Sequence, residues 1–291
     1  MDAEIRSQDT RTEPLAIVCG GGAVPAAVAE AALRAGRRVV LFAIRGWADP
    51  ELVARFPHHW IALGQLGRFV RLARAENCRE VVFIGSALRP SLRSMRFDLA
   101  ALRHLPKAMA MFRGGDDHLL TATARLFEDY GFRLLGAHEV APEILMPEGA
   151  MGQLQPGARE NADIARALAL IHAIGPFDIG QGAVVADQYV LAVEAAEGTD
   201  NMLARIVELR RLGRIPTPVG VGVLVKAPKP GQDNRFDLPA IGPKTVAEVA
   251  RAGLAGLAVI AGRTIVAEPA LVALAAQRAK IFVVGLRDAP R

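Results

Sequence analysis

Short apolar runs alternate with helix-like segments through the first half of the chain. Residues 15–19 are apolar, 25–35 form a small-residue helical stretch, and 38–44 are apolar again. A helical run over 63–76 and a third apolar strand over 80–84 follow. Strands alternating with helices predict a parallel sheet covered on both faces. A Rossmann-like domain is therefore expected over residues 14–141, after a polar, flexible tail at 1–13. The Pro/Gly-rich stretch 142–157 reads as a linker, and the pattern changes beyond it. Two apolar runs within 182–193 flank Ala186-Asp187-Gln188, a β-hairpin signal. Further strands are expected over 219–225, 257–260 and 281–285, and helices over 201–212, 245–252 and 269–278. The fold class is thus α/β, with a mainly parallel N-terminal domain and a mixed α/β C-terminal domain over 158–291.

Composition narrows the classes. A hydrophobic fraction of 52% with 22% charged residues describes a chain of 291 residues with an ample core. No apolar run reaches the roughly 20 residues that span a bilayer, and 1–12 have no apolar core segment after a basic start, so a cytoplasmic protein is expected. Cys19 and Cys78 lack metal-ligand spacing and read as buried free thiols. The net charge of +5 suits nucleic acid, an anionic lipid surface or a phosphorylated small molecule. Tyrosine and tryptophan number only two each, which leaves few stacking platforms for a nucleic-acid partner.

Several loops carry candidate chemistry. Cys19-Gly20-Gly21-Gly22-Ala23-Val24-Pro25 leads from a strand into a helix, where glycines admit a close phosphate and helix amides favour it. Pro25 occupies the place of the last glycine in the dinucleotide fingerprint, and Arg45 rather than an acidic residue follows the second strand. Gly85-Ser86 forms a second small-residue loop that should lie beside the first. Asp116-Asp117 reads as the cap of a helix over 119–130 in preference to a metal pair, and Thr199 or Asp200 as the cap of the helix over 201–212. The histidines give no zinc pattern, and neither a Walker A sequence nor a nucleophile elbow is present. The loop from Lys226 to Gly242 joins lysines, Arg235 and the carboxylate of Asp237 behind an apolar strand. Its cations can offset phosphoryl charge, and its carboxylate can hold a divalent cation or take a proton from water.

Together these segments resemble the LpxI family of UDP-2,3-diacylglucosamine pyrophosphatases. The resemblance rests on Gly20-Gly21-Gly22 with Pro25, Gly136-Ala137-His138-Glu139, Asp178-Ile179-Gly180-Gln181-Gly182, and Glu194 with Glu197-Gly198-Thr199-Asp200. It continues through Lys226-Ala227-Pro228-Lys229-Pro230 and through Arg235 with Asp237-Leu238-Pro239 and Ile241-Gly242, in the same order and without large gaps. It implies hydrolysis of UDP-2,3-diacylglucosamine to 2,3-diacylglucosamine 1-phosphate (lipid X) and UMP, in lipid A biosynthesis of Gram-negative bacteria. Water would attack the α-phosphorus with the help of Mg²⁺ or Mn²⁺. The family's essential aspartate falls on Asp237, which implies a catalytic and metal-binding role, with Lys226 and Arg235 beside it. Gly20, Gly21, Gly22, Ala23, Gly85, Ser86, Gln181, Gly182, Glu194, Thr199 and Asp200 match regions associated with nucleotide and diphosphate. Ser86 stands where asparagine follows this glycine in other members.

A peripheral position on the anionic inner membrane is implied, with part of an acyl groove expected over 88–112, and a homodimer is the default assembly. Two rivals remain: a nicotinamide-dependent oxidoreductase using the first domain, and a non-catalytic sugar-nucleotide or lipid-binding module.

Overall fold

The computed structural model describes residues 13–85, 96, 98, 101, 116–229, 233, 235 and 238–288, without the side chains of 116–122. The chain divides into two compact units, Met1–Glu143 with Asp233–Phe236, and Ile144–Gln232 with Asp237–Arg291.

The first unit runs β1 (Leu15–Cys19), α1 (Val24–Arg34), β2 (Val39–Ile44), α2 (Pro50–Val53), β3 (His58–Ile61), α3 (Leu66–Ala75), β4 (Glu80–Ile84), α4 (Asp116–Asp129), β5 (Arg133–Leu135) and α5 (Ala137–Val140). Among the described residues its five strands are all parallel, in the order β3-β2-β1-β4-β5. Every residue of β1 and β2 is buried, which is why both read as continuous apolar runs instead of alternating ones. Helix α1 buries Ala26, Ala29, Ala31 and Ala32, whose small side chains let it approach the sheet closely. The opposite layer is aromatic: Phe69 lies 4.7 Å from Phe42 and 4.9 Å from Phe127 between ring centroids. Strand β3 is absent from the sequence reading because it is short, lies at the sheet edge and begins with two histidines. The aspartates expected to cap a helix at 119 are the first described residues of α4 and are helical.

The second unit contains β6 (Gly149–Ala150), α6 (Ala158–Ile174), β7 (Gly182–Ala186), β8 (Tyr189–Val193), α7 (Gly198–Arg211), β9 (Val223–Lys226), β10 (Ala240–Ile241), α8 (Pro243–Arg251), β11 (Gly256–Ile260), β12 (Ile265–Val266), α9 (Pro269–Ala279) and β13 (Phe282–Leu286). Six strands form a mixed sheet in the order β6-β13-β11-β9-β7-β8, in which β9, β11 and β13 are parallel and β6, β7 and β8 provide antiparallel pairings. Alternation along the strands assigns the two faces. Val184, Leu224, Leu257 and Val283 pack with Met202, Ile206, Val246 and Val272 of α7, α8 and α9. Val185, Val223, Val225 and Phe282 pack with Ile164, Ala167 and Ile171 of α6.

The predicted hairpin is β7–β8. Its turn residues Asp187 and Gln188 have φ of 51° and 62°, the left-handed pair that a two-residue turn requires. The buried Asp163 of α6 secures this turn, accepting from Asp187 N at 3.1 Å, Gln188 N at 2.6 Å and Gln188 Nε2 at 3.0 Å. Among the described residues no helix is long and apolar enough to cross a membrane.

Two measurements check this packing. Asp163→Ala strips three donors of a charged acceptor and should lower unfolding free energy by about 3 kcal/mol in urea titration, whereas Asp163→Asn should recover part of the loss. Burial pushes the thiols of Cys19 and Cys78 up to about 11. Their folded values lie above the unfolded one, so they contribute stability below about pH 9 that is lost as pH rises toward 11. Neither thiol should react with a thiol reagent at neutral pH until denaturant is added.

Candidate active site

Lys226 ends β9 and is only 8% exposed. A buried ammonium requires acceptors, and two are present: Thr199 Oγ1 at 2.9 Å and the Ala240 carbonyl at 3.3 Å. The Thr199 hydroxyl donates onward to Glu194 Oε1 at 2.8 Å. Lys226, Thr199 and Glu194 therefore form one chain of hydrogen bonds between the end of β9, the first turn of α7 and the residue after β8. Glu194 Oε2 is buried and has no hydrogen-bond partner among the described residues. Gly182 faces that oxygen closely, since a Cβ there would stand 2.6 Å from it. The backbone completes the seat, with Glu194 N donating to Gly182 O at 2.8 Å and Ala227 N to Gln181 O at 2.9 Å.

This arrangement corrects the expected capping of α7. Glu197 is the N-cap residue and no side chain caps the helix. The Thr199 hydroxyl turns to the buried ammonium and carboxylate, and Asp200 pairs with Lys244 at 2.6 Å on the surface. Lys229, 5% exposed, pairs with Asp178, which sits in a left-handed turn at φ 52°. The sequence reading quoted both residues without joining them, because nothing local links positions 51 residues apart.

In the first unit the two glycine loops adjoin as expected. Gly20 N donates to Ile84 O at 2.9 Å. Gly85, at φ 102°, lies so close to the first loop that a Cβ would meet Gly21 O at 2.8 Å and Pro25 Cγ at 2.9 Å. Gly22 has φ 89°, and Ala23 is the N-cap residue of α1. Leu52 and Val53 of α2 fill the crevice beside Gly20 and Gly22, leaving a cavity of about 10 Å³. Arg235 donates to both oxygens of Asp233, at 2.8 Å from Nη2 to Oδ2, and to Glu128 Oε1 at 3.0 Å from Nη1. Asp233 foremost, and Glu128 after it, raise the Arg235 pKa above its ordinary value, and the guanidinium holds Asp233 below the usual carboxylate range. Asp237 and Ser86 lie outside the described residues, as does most of the 88–112 stretch expected to line an acyl groove. A larger cavity, which the sequence reading did not foresee, lies at the carboxyl ends of β2 and β3 and is lined by Arg45, Arg68 and Arg96. Its one sequence signal was the arginine following β2.

The motif order and the pair of α/β units both find a counterpart among known proteins. Residues 14–144 match the family model of the LpxI N-terminal domain, and 147–284 match that of the LpxI C-terminal domain. The chain belongs to the LpxI family. It is 42% identical over 272 residues to the UDP-2,3-diacylglucosamine pyrophosphatase LpxI of Caulobacter vibrioides, covering 94% of this chain and 97% of that one. A UDP-glucose 4-epimerase of Thermus thermophilus aligns over 94% of this chain and 85% of the other at 13% identity and a TM-score of 0.29, too low to bear on this LpxI protein.

The divalent cation that the resemblance implies would need hard oxygen donors. Among the described residues no three His, Cys, Asp or Glu side chains converge, so they form no closed protein cage for a metal. Mg²⁺ does not require one, because it binds through one or two carboxylates together with substrate phosphates and water. The unpartnered Glu194 Oε2 is a hard oxygen donor of that kind.

Gly182→Ala should force the Glu194 carboxylate from its seat and break its bond to Thr199. A loss of about 1–3 kcal/mol in denaturant titration is expected. Unchanged stability would show that the carboxylate does not need this close approach.

Proposed function

We propose that this LpxI protein hydrolyses UDP-2,3-diacylglucosamine to 2,3-diacylglucosamine 1-phosphate and UMP, a step of lipid A biosynthesis. The observation that carries the reading is the 42% identity to a pyrophosphatase of that name over nearly the whole of both chains. The hydrogen-bonded Lys226, Thr199 and Glu194 support it, because a fixed ammonium beside hydroxyl and carboxylate suits a diphosphate that gains charge during cleavage.

In this reaction a water oxygen forms a bond to the α-phosphorus as the bond from that phosphorus to the bridging oxygen breaks. The bridging oxygen departs with the β-phosphate as the lipid 1-phosphate, and UMP retains the water oxygen. Asp237 takes the proton from the attacking water or holds Mg²⁺ or Mn²⁺, with Glu194 as a further oxygen donor. The bound cation would supply charge neutralisation at the phosphoryl oxygens. Lys226 offsets diphosphate charge from a position already set by Thr199 and the Ala240 carbonyl. Arg235 contributes from a guanidinium braced by Asp233 and Glu128. Gly20, Gly21, Gly22, Ala23, Gly85, Ser86, Gln181, Gly182, Thr199 and Asp200 complete the proposed substrate contacts. The positive chain would work at the anionic inner-membrane surface, where its two-tailed substrate resides, as a cytoplasmic peripheral homodimer.

Purified protein given this substrate in oxygen-18 water should release UMP carrying the label, and chelation of divalent cations should stop the release. Absence of UMP under every metal condition would leave a binding module. Asp237→Ala should abolish release while retaining substrate binding, and normal turnover by that variant would remove Asp237 from the chemistry.

A further inference from the structure

We propose that the arginine-lined cavity of the first unit is a nucleoside-phosphate site. The inference deepens the proposed function and rests on it only for the choice of uridine as the base.

The cavity measures about 520 Å³ and is lined by Arg45, Trp47, Leu63, Gln65, Arg68 and Arg96 among others. It lies at the carboxyl ends of two parallel strands, where sheets of this class take ligands. Arg45 and Trp47 follow β2, Leu63 and Gln65 follow β3, and Arg68 stands in the first turn of α3. The walls are joined: Arg45 N donates to Ile61 O at 2.9 Å, Ala62 N to Gln65 Oε1 at 3.0 Å, and Arg96 N to Leu63 O at 2.8 Å.

Charge is the first argument for a ligand. Three guanidinium groups, permanently positive, share one cavity, and among the described residues no carboxylate lines it. None of the three has an ion-pair partner among the described residues. The nearby Asp98 is engaged otherwise, its carboxylate accepting the backbone amides of Arg68 and Ala101 at 3.0 Å. Like charges that line one cavity repel, and a phosphate group, which guanidinium forks bind in bidentate fashion, relieves the repulsion.

Size and wall chemistry define the rest of the ligand. The volume falls within the range of about 300–1,000 Å³ typical of small-molecule sites, and inorganic phosphate would leave most of it empty. Trp47 and Leu63 add an apolar wall, and Arg45 lies 5.9 Å above the Trp60 ring. Indole and guanidinium planes favour stacking on a flat base.

Both tryptophans of the chain, Trp47 and Trp60, belong to this region, so intrinsic fluorescence reports on it directly. Titration with UMP should change the emission saturably, and Arg45→Gln with Arg68→Gln should weaken the apparent affinity at least tenfold without altering thermal unfolding. Uridine should produce little response, and rising salt should weaken UMP binding. A response to inorganic phosphate equal to that to UMP, or to glucosamine 1-phosphate but not UMP, would overturn the nucleoside assignment. Absence of a saturable change, or a change indifferent to both substitutions, would overturn the site. The readout requires no turnover and should persist in Asp237→Ala, so its outcome is distinguishable from that of the hydrolysis assay.

Discussion

A lysine ammonium buried at the end of a strand has to be satisfied by the protein around it, and this requirement organises the polar centre of the second unit. Lys226 extends from β9, whose other residues are apolar and wholly buried. An unpaired charge there would cost several kcal/mol. The Thr199 hydroxyl and the Ala240 carbonyl meet it, and Glu194 orients the hydroxyl. Gly182 leaves room for the carboxylate by having no side chain. The first turn of α7, the end of β8 and the start of β7 are thereby tied to one cation. Such a group is set in position before a substrate arrives, which is the condition under which electrostatic stabilisation acts without reorganisation cost.

The same principle separates the arginines. Arg210 is braced by four backbone carbonyls, which commit its charge within the fold, and Arg235 is held in one position by two carboxylates. Burial accordingly lowers the Arg210 pKa from its ordinary value. Arg45, Arg68 and Arg96 instead line a cavity without such partners among the described residues. Net charge alone, which suggested an anionic ligand, does not distinguish these groups. Local pairing does.

Much of the fold was legible because buried strands of a parallel sheet are apolar along nearly their whole length, as in 15–19, 257–260 and 81–84, the last preceded by a buried Glu80 that pairs with Arg37 and Arg133. The hairpin was legible from two apolar runs around Asp187-Gln188, although the Asp163 anchor that holds it lies 24 residues away in α6 and leaves no local mark. Strand β3 was missed because edge position relaxes the demand for apolar residues, and β5 because three residues make too short a pattern. At the site, residue types and motif order singled out Lys226, Thr199 and Glu194 but not their mutual bonding. Local propensity pointed Thr199 toward a helix cap, and tertiary demand from a buried cation overrode it. The Asp178–Lys229 pair and the arginine cavity arise from chain segments that only folding brings together.

A kinetic double-mutant cycle on Lys226→Met and Glu194→Gln, read as kcat for UMP release, tests most directly whether this hydrogen-bonded chain acts as one device. Each single substitution should lower kcat by about tenfold or more, and the double variant should be little worse than the more damaged single one. Effects that multiply independently, or wild-type kcat in either single variant, would contradict the account.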